Sequence, residues 1–239
     1  PYFRIDKKGV FPLNIHSLML FRPAKPLEIN RSEVLRYIGY GANRPDQLIL
    51  SLVEDCDDRL AAAIEPKCGY ITLPIKVKDD CVIPNGCELR LSGFDIAAHL
   101  KGCDTAVFMA ATLSEQADRL IRQSAALDMT AGLIMDGCAT AAVEQLCDDF
   151  EAMLRRQYPN SFLRPRFSPG YGDLPVEIQR EFLELLDAPR KIGLCATDSC
   201  MLTPRKSVTV VIGIGNESNA ACKTGCDVCQ KRESCVFKS

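Results

Sequence analysis

The sequence predicts an α+β protein, a single domain in which long helices pack on a twisted antiparallel sheet. Three observations predict this class. Strand-like segments occur as neighbouring pairs joined by turn residues, and the helical segments are grouped between those pairs instead of alternating with single strands. In addition, a helical period continues through residues 128–157, which is long enough to cross a whole domain.

The first 29 residues are predicted to be an arm. They mix basic residues with prolines, and only Leu18–Phe21 has the character of a short strand. Asn30 and Glu33 then have the spacing of a capping box, which predicts a short helix that ends near Gly39.

The next part of the chain predicts helices separated by a pair of strands. Apolar residues recur at helical spacing from Leu48 to Ala63, and Glu65-Pro66 ends that helix. The pattern then predicts, in order, strands at 70–77 and 88–91 with an Asn85-Gly86 turn between them, a short helix at 94–100 closed by Gly102, and a strand at 105–111 buried on both faces.

Two longer helices follow. Thr112 and Glu115 have the spacing of another capping box, which predicts the start of the first helix. The second, at 128–157, carries a broad apolar stripe that begins at Leu133. Its small residues, such as Gly137, allow a neighbouring element to approach closely.

The last part of the fold is predicted to be a helix followed by two strands. Asp173 is expected to cap this helix, with Pro175 in its first turn. The strands are expected at 192–196 and 207–214. These elements complete a domain over residues 30–215, between the arm at 1–29 and a cysteine-rich tail at 216–239.

Composition argues against several classes of partner. Apolar residues make up 47% and charged residues 25% of the 239 residues, an ordinary balance for a soluble protein, and a net charge of −2 gives no electrostatic attraction to nucleic acid. No apolar run reaches the roughly 18 residues of a membrane span, and the N-terminus lacks the apolar core of a signal peptide. We therefore expect a cytoplasmic protein with no nucleic-acid or membrane partner.

Residues 166–171, which we call the Arg166 loop, have the composition of a binding loop. Arg166 offers a planar guanidinium for a carboxylate, and Tyr171 offers a ring that stacks and a hydroxyl that donates a hydrogen bond. Pro169 fixes its own φ, Gly170 lets the backbone approach a ligand, and Ser168 adds a hydroxyl. Taken alone, the same residues also fit a Pro-Gly turn with an incidental surface arginine.

The Arg-x-x-x-Gly-Tyr pattern of this loop resembles the activation domain of cobalamin-dependent methionine synthase. The resemblance extends from about Asn30 to Gly215 and is carried by residues 30–40, 99–104, 109–113, 136–144 and 192–199. It implies the same α+β fold and a site for S-adenosylmethionine (AdoMet). The residues implied to bind AdoMet are Arg166, Ser168, Pro169, Gly170 and Tyr171.

The chain departs from the long synthases of that family at three places. It has Gly39-Tyr40 where they carry an Asp-Trp pair, and Asp148 where they carry a glutamate facing the cofactor. It also has Val211–Gly215 where they usually have two tyrosines that help to enclose the cofactor. Part of the pocket is therefore expected to be built differently. Asp148 is interpreted as a solvated helix carboxylate, with a place facing the cofactor as the alternative.

The resemblance implies a role in repairing oxidised cobalamin. In the family, the activation domain presents AdoMet so that one electron and one methyl group restore methylcobalamin from inert cob(II)alamin. This sequence shows no homocysteine, folate or cobalamin module and no P-loop, so we expect it to act on cobalamin carried by a separate methionine synthase or corrinoid protein. A flavodoxin or ferredoxin is the expected electron donor. The alternative is a non-catalytic scaffold that kept the fold and uses its tail for metal binding or electron transfer.

The tail holds four of the thirteen cysteines within the last 18 residues. Cys222, Cys226, Cys229 and Cys235 lie on a polar segment that has no packing use for them, whereas the others are scattered singly as small buried hydrophobes would be. Their spacing favours an iron–sulfur cluster, with zinc and free or redox-paired thiols as alternatives. The first three also match the spacing of radical AdoMet enzymes, a class that needs a barrel domain after its cluster loop.

Overall fold

The computed structural model describes residues 18–23, 26–40 and 43–216. Over these ranges the chain forms an α+β domain, as predicted, with a seven-stranded antiparallel sheet and a separate two-stranded hairpin. The strands are β1 (Met19–Phe21), β2 (Lys67–Val77), β3 (Cys81–Pro84), β4 (Leu91–Ser92), β5 (Cys103–Thr112), β6 (Phe162–Leu163), β7 (Cys195–Ala196), β8 (Leu202–Thr203) and β9 (Ser207–Gly215). The helices are α1 (Arg31–Tyr37), α2 (Gln47–Ala63), α3 (Phe94–His99), α4 (Glu115–Leu127), α5 (Met129–Gln157), α6 (Gln179–Leu185) and α7 (Ala188–Lys191), and a 3₁₀ turn at Val176–Ile178 precedes α6.

β5 lies at the centre of the sheet. It pairs with β2 on one side and with β9 on the other, and the order across the sheet is β4-β3-β2-β5-β9-β6. The other edge of β2 is shared by two partners, since β1 pairs with its first part and β3 with its last residues. The N-terminal arm thereby contributes a strand to the sheet.

The continuous apolar run of β5 is explained by helices on both faces of the sheet. Val107 and Met109 point to the face covered by α5, whereas Phe108 and Ala110 point to the face covered by α3 and α6. We call these the α5 face and the α3 face. Because alternate residues enter two different cores, neither face of β5 needs polar side chains.

The α5 face is the larger of the two cores. Phe150 of α5 is fully buried, and its ring makes edge-to-face contacts with Tyr70 at 4.9 Å and with Phe21 at 5.6 Å between centroids. α1, α2 and α4 pack against α5. The predicted close approach occurs at Gly137, where a Cβ atom would lie 3.1 Å from Cγ2 of Ile38 at the end of α1.

The α3 face is built around aromatic and aliphatic residues of β5, α3 and α6. The rings of Phe108 and Phe182 lie 5.7 Å apart between centroids, and both side chains are fully buried. Ile96 and Leu100 fill the space beside them. The loop that contains Arg166 is packed against this core through the side chain of Phe167, which is one of the core residues.

The strands after β2 differ from the sequence prediction. β2 turns back directly into β3 at Cys81–Pro84, a strand that the pattern did not reveal because it is only four residues long. The Asn85-Gly86 turn therefore follows β3, and the strand expected at 88–91 is reduced to β4. The strand expected at 192–196 is likewise reduced to β7, which pairs with β8.

Two predicted helix caps are wrong. Thr112 ends β5, and its hydroxyl accepts a hydrogen bond from the Ser114 N–H at 3.2 Å, so α4 begins only at Glu115. Asp173 caps α3 instead of the helix that follows it in the chain. Both errors arise because the residue with capping chemistry found another backbone partner in the folded protein.

Two residues assigned to the apolar stripes are exposed, Leu48 at 68% and Leu133 at 55%. Leu48 is the second residue of α2 and Leu133 is the fifth residue of α5. In the described ranges, no helix is both long enough and apolar enough to cross a membrane.

Candidate functional site

The Arg166 loop is attached to β9 by its backbone. The Arg164 N–H donates to the Gly213 carbonyl at 2.8 Å, and Phe167 and Val211 exchange two hydrogen bonds of 3.0 and 2.8 Å. The Phe167 side chain enters the core of the α3 face, whereas that of Arg166 reaches α5 on the other face of the sheet. The sheet therefore determines on which side the guanidinium lies.

The loop then makes a tight turn. The Gly170 N–H donates to the Leu174 carbonyl at 2.9 Å, and the Tyr171 N–H donates to the Ser168 carbonyl at 3.0 Å. Gly170 has a φ of +90°, in the left-handed region that residues with a side chain rarely adopt. The Pro-Gly turn is thus present, and it brings Tyr171 back beside Phe167.

Three carboxylates of α5 surround the Arg166 guanidinium, and we call Glu144, Asp148 and Glu151 the acidic ladder. Nη2 of Arg166 lies 2.9 Å from Asp148 Oδ1 and 3.3 Å from Glu144 Oε2, and Nε lies 3.1 Å from Glu151 Oε1. Their spacing of four and three residues places the acids on one side of the helix. The third nitrogen, Nη1, is buried and has no hydrogen-bond partner in the part of the chain that the structure describes.

The acidic ladder is unevenly exposed. The Glu151 side chain is only 13% exposed and also binds Arg155 at 2.7 Å, whereas Glu144 and Asp148 are 49% and 59% exposed. Burial opposes the charged form of Arg166, but Cys147 and the acidic ladder together outweigh it and raise the pKa of the guanidinium. Glu151 is therefore the mostly buried ion-pair partner of Arg166, whereas Glu144 and Asp148 face solvent.

A thiol lies beside the guanidinium. Cys147 is buried on α5, and burial raises its pKa to about 12, despite the opposing effect of Arg166. At neutral pH the thiol is un-ionised and acts as a small apolar wall residue.

Arg166, Ser168 and Tyr171 line one cavity of about 360 Å³ between the loop, α5 and β9. This volume is within the range of small-molecule sites, which runs from about 300 to 1,000 Å³. Pro169 is buried and Gly170 is exposed, and neither lines the cavity. The other lining residues are Glu144, Cys147, Glu151, Arg155, Leu163, Arg164, Pro165, Val208 and Val210.

The turn beside this cavity carries exposed apolar side chains. Tyr171 is 51% exposed, and its ring lies edge-on to Phe167 at 6.2 Å between centroids. Phe94 and Val176 are also exposed, at 67% and 37%, next to the same turn. We call Phe94, Tyr171 and Val176 the apolar rim.

The structure brings together part of the predicted site and adds residues that sequence reasoning missed. Asp148 was singled out from the sequence, and it contacts Arg166 while remaining exposed. Glu144 and Glu151 were missed, although their spacing from Asp148 on a long helix was a usable signal. The role of Arg166, Ser168, Pro169, Gly170 and Tyr171 in binding AdoMet stays a prediction.

Two of the departures from the long synthases can now be located. Gly39, with a φ of +90°, ends α1 through hydrogen bonds from Gly39 N–H to Arg36 and from Tyr40 N–H to Leu35. Val211 and the residues after it are buried in the sheet, and β9 contributes Val208 and Val210 to the cavity. In this chain β9 therefore supplies an aliphatic wall.

The predicted metal ligands Cys222, Cys226, Cys229 and Cys235 lie outside the described residues. Over residues 18–23, 26–40 and 43–216, no group of three or more His, Cys, Asp or Glu side chains is arranged to hold a metal ion. The iron–sulfur and zinc interpretations of the tail stay predictions.

Comparison with known proteins supports the fold. No family model and no curated protein matches the sequence. Among solved structures, the chain is similar to the MetH reactivation domain in its crystal structure bound to AdoHcy, with a TM-score of 0.64 and 16% sequence identity over 95% of this chain and 88% of that chain. The predicted resemblance to the methionine synthase activation domain is therefore confirmed for the fold.

Proposed function

We propose that this protein binds AdoMet in the cavity of the Arg166 loop and supports reductive methylation of cobalamin on a separate methionine synthase or corrinoid protein. The observation that carries the proposal is the cavity itself, which the Arg166 loop lines together with two acids of the acidic ladder. The fold likeness to a domain that was crystallised with AdoHcy supports an AdoMet-type ligand.

The charges around the cavity suit the amino-acid end of AdoMet. That end carries a carboxylate and an ammonium, and the site offers Arg166 for the first and the acidic ladder for the second. Since Nη2 and Nε of Arg166 already bind carboxylates and Nη1 is buried, the ligand carboxylate is expected to displace Glu144 or Asp148, the two exposed acids, from Nη2. A single-nitrogen contact is therefore expected in place of the two-nitrogen fork that the sequence suggested.

The rest of the ligand meets apolar surface. Leu163, Val208 and Val210 form an aliphatic wall, and the Tyr171 ring offers a π face that attracts a sulfonium. The apolar rim beside the cavity is where a cobalamin-bearing partner is proposed to dock, because a corrin ring is large, flat and largely apolar. In the reaction, one electron and the methyl group of AdoMet restore methylcobalamin, and neutral AdoHcy leaves.

Titration calorimetry with AdoMet tests the site. Arg166→Ala is expected to weaken binding about tenfold or more, since charge-assisted hydrogen bonds contribute on the order of 1.5–3 kcal/mol. Arg180→Ala is the matched control, because Arg180 is an exposed arginine paired with Asp198 outside the cavity. No binding heat from the wild type at millimolar AdoMet, or equal affinity of the Arg166→Ala variant, would show that the site is assigned wrongly.

A reactivation assay tests the function. The protein, AdoMet and a reductant are mixed with a methionine synthase that lacks its own reactivation domain, and conversion of cob(II)alamin to methylcobalamin is followed by absorbance. An unchanged spectrum with several corrinoid partners, despite AdoMet binding, would favour the scaffold alternative.

The tail is proposed to bind an iron–sulfur cluster that supplies the electron. The supporting observation is the concentration of four of the thirteen cysteines in the last 18 residues. Protein isolated without oxygen is expected to be brown and to bleach on reduction, and replacing any two of Cys222, Cys226, Cys229 and Cys235 by serine is expected to remove the colour but not AdoMet affinity. Colourless protein with stoichiometric zinc would contradict the cluster and leave the AdoMet site untouched.

A further inference from the structure

α3 contacts the Arg166 loop at both ends of the helix. At its beginning, the Asp173 carboxylate accepts the Phe94 N–H at 2.7 Å and the Asp95 N–H at 3.0 Å. The Asp95 carboxylate in turn accepts the Asp173 N–H at 3.2 Å. Two segments 78 residues apart thus cap each other's backbone.

At the other end, His99 contacts the first part of the loop. Its Nε2 lies 2.8 Å from the Pro165 carbonyl oxygen, and its ring lies 5.0 Å from the Phe167 ring between centroids. A carbonyl only accepts, so Nε2 carries the proton. Burial lowers the pKa of His99, which keeps the ring neutral at pH 7.

The backbone around the reciprocal cap leaves no room for side chains. Gly93 has a φ of +152°, and a Cβ atom there would lie 2.5 Å from Oδ1 of Asp173. Gly172 has a φ of +53°, and a Cβ atom there would collide with the Asp95 carboxylate. Both positions therefore require glycine for the carboxylates to reach their backbone partners.

We propose that Asp173 and His99 are positioning residues for the candidate site. Neither lines the cavity, but together they fix the two ends of the segment 165–173 on α3. Arg166, Ser168 and Tyr171, which line the cavity, all lie between these two attachments. The ligand in this inference rests on the proposed function, whereas the ordering of the loop does not.

The expected effect follows from the population of loop conformations. If one attachment is removed, the loop occupies its cavity-lining conformation for a smaller fraction of the time, and the apparent Kd rises by the inverse of that fraction. Loss of a helix N-cap of about 1 kcal/mol corresponds to about a fivefold change in such an equilibrium. We therefore expect Asp173→Ala and His99→Phe each to raise the Kd for AdoMet, by up to about fivefold.

Conservative variants separate positioning from packing. Asp173→Asn keeps an oxygen that caps α3, and His99→Gln keeps an N–H donor toward Pro165, so both are expected to restore most of the affinity. Asp128→Ala is the matched control, because Asp128 also accepts two backbone N–H groups, at 2.6 and 3.2 Å, at the beginning of α5. The Asp128→Ala variant loses a helix N-cap of the same kind, but Asp128 makes no contact with the Arg166 loop.

Hydrogen exchange of the unliganded protein provides a second measurement. The Gly170, Tyr171 and Leu174 amides are hydrogen-bonded within the loop, and they are expected to exchange faster in Asp173→Ala and His99→Phe than in the wild type. The Arg164 amide, bonded to β9, is expected to be unchanged.

The outcomes distinguish this inference from the proposed function. Weaker AdoMet binding in Asp173→Ala and His99→Phe, with rescue by the conservative variants and no change in Asp128→Ala, supports it. Unchanged loop exchange, or an equal loss of affinity in Asp128→Ala, overturns it. If the wild type does not bind AdoMet, the proposed function fails and the exchange result alone decides the positioning role.

Discussion

The two faces of the sheet make different contributions to the candidate site. The α5 face supplies charge, since the acidic ladder surrounds the Arg166 guanidinium. The α3 face supplies attachment, since Asp173 and His99 fix the ends of the loop. In this protein the chemistry of a binding loop and its shape are thus determined by residues on opposite sides of one sheet.

The largest expected effect tests whether the two faces are equally strong as cores. Phe150→Ala on the α5 face and Phe182→Ala on the α3 face are each expected to lower the free energy of unfolding by about 3–5 kcal/mol, because both rings are fully buried. Urea denaturation measures both values. A loss below about 1 kcal/mol for one variant would mean that the core on its face is loosely packed and that the two cores do not stabilise the protein equally.

A smaller effect tests the division of labour within the acidic ladder. Glu151→Gln is expected to lower stability by about 1–2 kcal/mol, because the mostly buried Glu151 carboxylate binds both Arg155 and Arg166. Glu144→Gln is the matched control on the same guanidinium, and its half-exposed pair is expected to cost no more than about 0.5 kcal/mol. If urea denaturation gives the same loss of stability for both variants, the solvent exposure of an acid does not determine how much its ion pair with Arg166 stabilises the fold.

The smallest effect concerns the α3 face and depends on pH. Burial lowers the folded-state pKa of His99, so the unfolded chain takes up a proton more readily. The stability due to neutral His99 is complete above the ordinary histidine pKa of about 6.5, and it decreases as the pH falls below that value toward the folded pKa. Unfolding measured from pH 7.5 to 5.5 should therefore show a steeper loss for the wild type than for His99→Gln. Parallel profiles would indicate that His99 titrates normally in the folded protein.

Elements with long, regular patterns could be predicted from the sequence, and long-range partners could not. The period of residues 128–157 predicted α5 almost to the residue, because a helix is specified by neighbours three and four positions apart. β3 was missed because four residues are too few to establish an alternation. Asp173 was assigned to the wrong helix because its backbone partners at α3 are 78 and 79 residues away.

The candidate site shows the same limit. The composition of the Arg166 loop predicted a cation, a turn and an aromatic ring, and the structure has all three, with the ring exposed. The groups that contact Arg166 depend on how α5 packs across the sheet. The contacts between Arg166 and the acidic ladder could therefore not be predicted from the sequence. The sequence spacing did show that Glu144 and Glu151 lie on the same side of the helix as Asp148, but it did not show what these acids bind.

The reciprocal cap has a consequence for how this sequence can vary among relatives. Gly93 and Asp95 lie far from Gly172 and Asp173 in the chain, yet each glycine is required by the aspartate of the other segment. A side chain at position 172 becomes tolerable only after Asp95 is replaced by a smaller residue, which in turn removes the acceptor of the Asp173 N–H. The two glycines and the two aspartates are therefore expected to vary together among relatives, with asparagine as the substitution at position 173 that keeps the cap.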